Sequence, residues 1–338
     1  DRWGRKPVLL ASLAGTLIGY VLFALAVGWG KLWLLFLARI LDGFTGGNIA
    51  TAQSAISDVS TEETKARNFG LIGMAFGLGF ILGPFLGGKL SDPSVASWFT
   101  LATPFWFAAG LCFINIILVW IRFRETLVER LDRPMSLWTG VVNIKKAFTL
   151  PSVRVMFLVV FLFMAGFNFY TQFSQVFLYE KFGFRQAEIG EYFAFIGVWI
   201  ALVQGIITPV ITRYFKPRQI VSVSFLILAL ALGALMLPEA EWQLYALTPL
   251  VALGMGLSQP NTIAIVSSLA DRKSQGEILG INQSVQSLAI GTPPLFAGIL
   301  AAYSIYLPIV GASVFVFAAW VVFVFIFSKQ KPQVFQEA

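Results

Sequence analysis

Asp1-Arg2-Trp3-Gly4-Arg5-Lys6-Pro7 stands directly before a run from Val8 to Gly30 that carries no charge. A basic turn set against an apolar run of that length, with Pro7 where a helix can start, predicts a short loop feeding a helix across a hydrocarbon core of about 30 Å. The pattern repeats along the chain. Apolar runs near 8–30, 32–57, 68–90, 99–121, 153–178, 187–211, 219–237, 243–269, 277–302 and 304–327 predict roughly ten membrane spans. Their connections are mostly short, so successive helices are expected as antiparallel neighbours. The expected fold class is all-α and integral to a membrane.

Composition points the same way. Of 338 residues, 57% are hydrophobic and 12% charged, against about 25% charged in soluble domains. The 33 Phe and 30 Gly suit bulk towards lipid on one helical face and close backbone approach on another. With no His and a single Cys, Cys112, the chain offers no disulfide framework, no Cys/His metal site and no histidine relay. It also lacks the clustered nucleophiles of a membrane enzyme. Asp58, Glu62 and Glu63 share a short charged loop whose simplest role is solvation and charge compensation at a helix start.

The net charge of +7 belongs to loops rather than to a nucleic-acid surface. Of the 24 Lys and Arg, only Lys31, Lys89, Lys181 and Arg185 fall on the side opposite the first loop, and Arg39 lies within a span. Basic residues favour the cytoplasmic side, so the first loop and the C-terminus are expected in the cytoplasm of a multi-pass plasma-membrane protein, of bacterial inner-membrane type.

The one long connection, 122–152, carries Arg122, Arg124, Arg130, Arg133, Lys145 and Lys146. It divides the chain into a bundle at 1–121, the connection itself, a bundle at 153–327 and a cytoplasmic tail at 328–338. Met135, Trp138, Val142 and Phe148 recur there at near-helical spacing, which fits either a helix lying on the membrane surface or a solvated linker. The two halves also echo one another. Arg2 matches Arg213, Gly70 matches Gly280, Pro84 matches Pro294 and Gly88 matches Gly298 at a near-constant offset, the pattern of a duplicated transporter fold. The back half has two more spans than the front. Two helices are therefore expected before Asp1, giving about twelve in all.

Asp1-Arg2-Trp3-Gly4-Arg5-Lys6 resembles the end of the loop signature of the major facilitator superfamily, G-x-L-x-D-R-x-G-R-K/R. The copy at Thr212 to Arg218 keeps the basic residues and loses the acid and the glycine. The resemblance implies two pseudo-symmetric six-helix bundles and a cytoplasmic latch formed by Asp1, Arg2, Gly4, Arg5 and Lys6, with Arg213 in the weaker copy. It sets Asp1 against the helix start around Gly276 and Glu277, and Arg5 against Asp58. An ordinary orientation-setting basic loop is the plain alternative.

Gly79-Phe80-Ile81-Leu82-Gly83-Pro84-Phe85-Leu86-Gly87-Gly88 fits G-x-x-x-G-P-x-x-G-G, the fifth-helix signature of proton-coupled antiporters in that superfamily. Physically, Gly79, Gly83, Gly87 and Gly88 permit close helix approach, and Pro84 removes a backbone hydrogen bond and bends the helix. The stretch from Arg39 to Asn48 resembles the arginine-bearing fourth helix of drug and tetracycline antiporters. Arg39 and Asp42 share a helix face, and Asp42 lies about 15 Å from the helix start, near mid-membrane. An ionisable residue there faces a cavity or a partner. The pair is either a proton-loading switch or a permanent ion pair.

Intramembrane amides form the remaining set: Asn48, Gln53, Asn168, Gln172, Gln175, Gln259, Asn261, Asn282 and Gln286. They either line a cavity for a mostly apolar substrate with a few polar groups, or bond between helices. The resemblance implies a proton-coupled antiporter that exports a small drug-like or metabolite substrate by alternating access. Its expected partners are that substrate, protons and membrane lipid; it works as a monomer, with no nucleic acid and no cofactor beyond the proton gradient. A proton symporter or facilitator for a sugar or other metabolite is the rival reading, and a non-transporting receptor of the same fold is the rival from another class. The sequence departs from the tetracycline exporters. It has no acid between Val8 and Gly30, no histidine, and no acid between Gln219 and Leu237.

Overall fold

Glycine and proline punctuate this chain where the apolar runs end. The computed structural model describes residues 4–46, 51–52, 55–56, 58–59, 75, 78–79, 82–127, 139–150, 153–269 and 275–329, and every regular element among them is helical. Helix α1 (Arg5–Trp29) starts after Gly4 at φ 95° and stops at Gly30 at φ 63°, both in the left-handed region that Gly alone adopts freely. Helix α2 is Leu32–Thr45. Helix α3 covers 82–90, and α4 (Thr103–Arg122) opens with Pro104 in its first turn.

The second half is longer. It comprises α5 (Thr139–Thr149), α6 (Arg154–Phe182), α7 (Gln186–Leu202), α8 (Thr208–Tyr214), α9 (Pro217–Ala234), α10 (Glu241–Ser268), α11 (Gln275–Gly291), α12 (Pro293–Tyr303) and α13 (Leu307–Val321). Between α7 and α8 lies one wide π-type turn, Val203–Ile207, ahead of Pro209, which has no N–H to donate to the regular ladder. Pro293 and Pro294 likewise follow a one-residue interruption between α11 and α12, and the two helices together make a single stretch, Ile278–Tyr303, over the span expected at 277–302. Among the described residues eight helical stretches are long and apolar enough to cross a membrane. The spans expected at 32–57 and 68–90 are described only in part.

The chain divides into two compact units, one of residues 1–135 with 186–194 and one of 136–185 with 195–338. The division falls inside the 122–152 connection, and the opening turns of α7 go with the first unit. In that unit α1 packs on α2 and α4. Small residues make the α1–α2 seam: Ser12 Oγ donates to the Thr45 carbonyl, Gly15 lies against Thr45, and a Cβ on Gly19 would stand 3.4 Å from Asp42 Cβ. In the second unit α6, α9 and the π-type turn Val322–Ile326 that follows α13 share a buried aromatic column. Phe163 and Phe225 stand 4.8 Å apart and Phe225 and Phe323 6.0 Å apart. In lipid such contacts hold helices together by packing and dispersion, because there is no water to expel.

Helix α5 is docked on protein. Asn143 Nδ2 donates to Ser284 Oγ of α11 at 3.4 Å, Ala147 is fully buried, and Phe148 meets Phe161 of α6 edge-on at 6.2 Å. Val141 and Val142 are exposed. Its apolar residues are thus divided between a buried and an exposed side. Met135 and Trp138 lie outside the described residues.

Candidate functional site

The turn that starts α1 is held by a group from the segment that follows α4. Glu125, three residues past α4, accepts the Arg5 N–H at 2.7 Å on Oε1 and the Lys6 N–H at 3.1 Å on Oε2. Its Oε1 also takes the N–H groups of Thr126 and Leu127, each at 3.1 Å. First-turn N–H groups have no partner inside their own helix, and a carboxylate there meets the positive end of the helix dipole. Burial works to raise the Glu125 carboxyl, but the four backbone donors together outweigh it and hold the group below the usual carboxylate range. Gly4 is needed here twice over. Besides its positive φ, a Cβ on it would stand 2.5 Å from Glu125 Oε2.

Arg5 Nε stands 2.9 Å from Asp58 Oδ2, with side chains 14% and 23% exposed. The same Asp58 oxygen accepts the Thr126 hydroxyl at 3.1 Å, and Lys6 Nζ donates to the Trp120 carbonyl at the end of α4 at 2.8 Å. Four of the residues named from the sequence, Gly4, Arg5, Lys6 and Asp58, are therefore brought together. Glu125, Thr126 and Trp120 were not foreseen. Asp1 and Arg2 lie outside the described residues, as do the side chains of Gly276 and Glu277. Arg213 is exposed at the end of α8. Just beyond it Gln219 Oε1 accepts the Lys216 N–H at 3.0 Å, so this second turn is capped from its own helix.

Arg39 and Asp42 lie one turn apart on α2, with Nη1 3.9 Å from Oδ2 and side chains 65% and 35% exposed. The Arg39 guanidinium stands over the Phe23 ring of α1 at 4.7 Å. That contact offers a second home for its charge. Cys112 Sγ of α4 donates to the Leu13 carbonyl of α1 at 3.3 Å.

Of the glycine-rich string, one end makes the close approach. A Cβ on Gly88 would lie 2.8 Å from the Gln186 carbonyl and 3.1 Å from Gly190 Cα; on Gly190 it would lie 2.5 Å from the Pro84 carbonyl. Beside them Lys89 Nζ meets Glu191 Oε1 at 2.6 Å, both groups exposed. Cβ atoms at Gly79, Gly83 and Gly87 would meet nothing within 4 Å among the described residues. Among the described residues α3 approaches α7 through Gly88 and the Pro84 carbonyl, and Gly190 is a partner that the sequence does not announce.

The amides separate. Asn261 and Asn282 are 3% and 5% exposed, inside the packed second unit. Asn168 and Asn261 each donate to the carbonyl four residues back, Met164 and Leu257, at 2.8 Å. Gln172 and Gln175 are exposed on α6, and Gln172 Nε2 reaches the Ile290 carbonyl of α11 at 3.4 Å. Gln259 and Gln286 are half-buried. Asn48 and Gln53 lie outside the described residues. Asn282 Oδ1, Ser174 Oγ and Thr262 Oγ1 are buried without a hydrogen-bond partner among the described residues, and each such atom carries a desolvation cost. A cavity of about 520 Å³ exists in this unit, lined by Ala229, Gly233, Met236, Ser313 and Phe317 among others. It contains none of the amides, so its size says nothing about the polar set.

Comparison with known proteins places these features. The family model described as the Major Facilitator Superfamily matches residues 1–291 and 200–337. The chain is 31% identical over 305 residues to the class C tetracycline resistance protein of Escherichia coli, covering 90% of this chain and 74% of that protein. Among solved structures, the human organic anion transporter MFSD10 superposes with a TM-score of 0.72 at 20% identity, covering 96% of this chain and 78% of that one. A bacterial homolog of the human lysosomal transporter Spinster, inward-facing and unoccupied, gives 0.75 at 15% identity, covering 98% and 86%.

Proposed function

The chain belongs to the Major Facilitator Superfamily, in its tetracycline-resistance-like branch, and on that premise we propose that this multi-pass membrane transporter is a proton-coupled antiporter. It exports a small, largely apolar substrate from the cytoplasm by alternating access, working as a monomer in a plasma membrane of bacterial inner-membrane type. The observation that carries the reading is the intramembrane pair Arg39–Asp42. A carboxylate about 15 Å into a span is retained against a cost of at least ~2.5 kcal/mol, and a loosely paired one beside a cation with an alternative contact is suited to gaining and losing a proton.

The half-buried Arg5–Asp58 pair acts as a latch on the cytoplasmic face in this reading, and the Gly88–Gly190 approach with Lys89–Glu191 closes the opposite ends of α3 and α7. Gln172, Gln175 and Gln286 supply donors and acceptors to a substrate that is otherwise held by apolar contact. Tetracycline is a poor candidate for that substrate, because the chain lacks the histidine and the two acids that the tetracycline exporters carry. No cofactor beyond the proton gradient is required.

The test is transport in proteoliposomes under an imposed pH gradient, with a panel of apolar cations, anions and neutral compounds and a pH-sensitive dye inside. The expected result is that at least one compound moves against its gradient and that its addition alone drives counter-movement of protons. Transport of every active compound without proton movement would overturn the antiporter reading and leave a facilitator.

A further inference from the structure

We infer that Glu125 and Thr126 are positioning residues for the Arg5–Asp58 pair, forming a strap that leaves α4 and fixes both partners at once. The inference deepens the latch reading above and rests on it. Its basis is the sharing of atoms. One carboxylate, Glu125, takes N–H groups from two chain segments, Arg5 and Lys6 at the start of α1 and Thr126 and Leu127 in the strap itself. One oxygen, Asp58 Oδ2, takes the Arg5 guanidinium at 2.9 Å and the Thr126 hydroxyl at 3.1 Å. Adjacent strap residues thus hold the backbone of Arg5 and the target of its side chain.

Geometry explains why the strap is required. Gly4, at φ 95°, has no side chain to fix the turn and gives α1 no side-chain cap. The strap is anchored at its other end, where the Phe123 N–H closes the last turn of α4 onto the Val119 carbonyl at 3.1 Å. The Lys6 side chain returns the contact by bonding the Trp120 carbonyl. A carboxylate oxygen has room for two donors, and Asp58 Oδ2 has both places filled here. Loss of Glu125 leaves Arg5 and Lys6 with orphan N–H groups and lets the turn swing, so that the guanidinium no longer meets Asp58 in a fixed geometry. Any displacement of α4 against α1 is then felt at the latch.

An ordinary helix cap would stabilise α1 without concerning Asp58, and a double-mutant cycle separates the two. The variants are Glu125→Gln, Thr126→Val and Arg5→Gln, with each strap variant combined with Arg5→Gln in the full-length protein. Glu125→Gln is nearly isosteric; Thr126→Val keeps the shape and the backbone and serves should the first fold poorly. Thermal unfolding of the purified protein is expected to show strongly less-than-additive loss in the double variants. In transport, Glu125→Gln is expected to change maximal turnover about fivefold, the shift in a two-state equilibrium that one charged cap produces, with apparent KM unchanged and no further change once Arg5 is Gln. Additive melting losses, or a turnover effect of the same size in the Arg5→Gln background, would overturn the strap. Unchanged turnover in Arg5→Gln alone overturns the latch reading instead, and leaves the melting cycle as the measure of whether the strap holds the pair.

Discussion

At the scale of single residues, charge and position argue for two different kinds of control. Asp42 is a carboxylate inside a span, with Arg39 at 3.9 Å and α1 glycine opposite it. Replacing it by Asn keeps the shape and removes the proton. Gradient-driven export by Asp42→Asn is expected to fall about tenfold or more while downhill exchange in the same vesicles stays within about twofold; unchanged driven export would make the pair scaffolding. Glu125 argues by pH. Its folded-state value is depressed, so its contribution to stability is complete above the unfolded carboxylate value of about 4.3 and is lost as pH falls through the folded value. The difference in melting temperature between the protein and Glu125→Gln should therefore be constant near neutrality and shrink below about pH 4.3; a difference that grows in acid would reverse the sign of the argument. The two residues also differ in legibility. Arg39 and Asp42 announce themselves because ionisable groups are rare inside an apolar run. Glu125 sits among Arg122, Arg124 and Arg130 and reads as one more loop charge, since its partners lie 119 and 120 positions away and no local spacing points to them.

At the scale of elements, helices were legible and their meeting points were not. An apolar run with Gly or Pro at its end suffices to specify where α1, α6 or α9 begins and stops, and these differ from the expected spans only at the termini. What a glycine faces depends on a partner that the run does not contain. Within the string from Gly79 to Gly88, Gly88 and the Pro84 carbonyl meet Gly190 of α7 among the described residues. This separates the glycines experimentally. At Gly190 a methyl would stand 2.5 Å from one backbone atom and 3.1 Å from another, and neither can move away alone. Gly190→Ala is expected to cost about 1–3 kcal/mol, read as a lowered melting temperature and as slower transport if this contact closes during the cycle. Cβ atoms at Gly83 and Gly87 would meet nothing within 4 Å among the described residues, so Gly83→Ala and Gly87→Ala should be neutral or stabilising by up to about 1 kcal/mol. Equal losses at all three positions would mean that the glycines matter for backbone flexibility and not for the α3–α7 approach.

At the scale of the whole molecule, the remaining question is which end of each helix faces the cytoplasm, and the answer comes from charge rather than packing. Arg124 follows α4, Arg218 lies in the first turn of α9, and both belong to the basic-rich set; Lys31 precedes α2 and Arg185 precedes α7, in the sparse set. Helix α1 runs the full length of a span, so Lys31 stands at the end of it opposite Arg5. The excess of Lys and Arg on one side decides which face is cytoplasmic. The only native thiol, Cys112, is buried and gives a low background for cysteine labelling. Single cysteines at positions 31 and 185 are therefore expected to react with a membrane-impermeant maleimide in intact cells, and those at 124 and 218 only after the membrane is opened or in inverted vesicles. The reverse pattern would invert the molecule, placing the Arg5–Asp58 latch on the outer face and making a proton gradient of the usual sign drive substrate inwards. A mixed pattern, with 31 and 185 on different sides, would instead break the antiparallel order of successive spans.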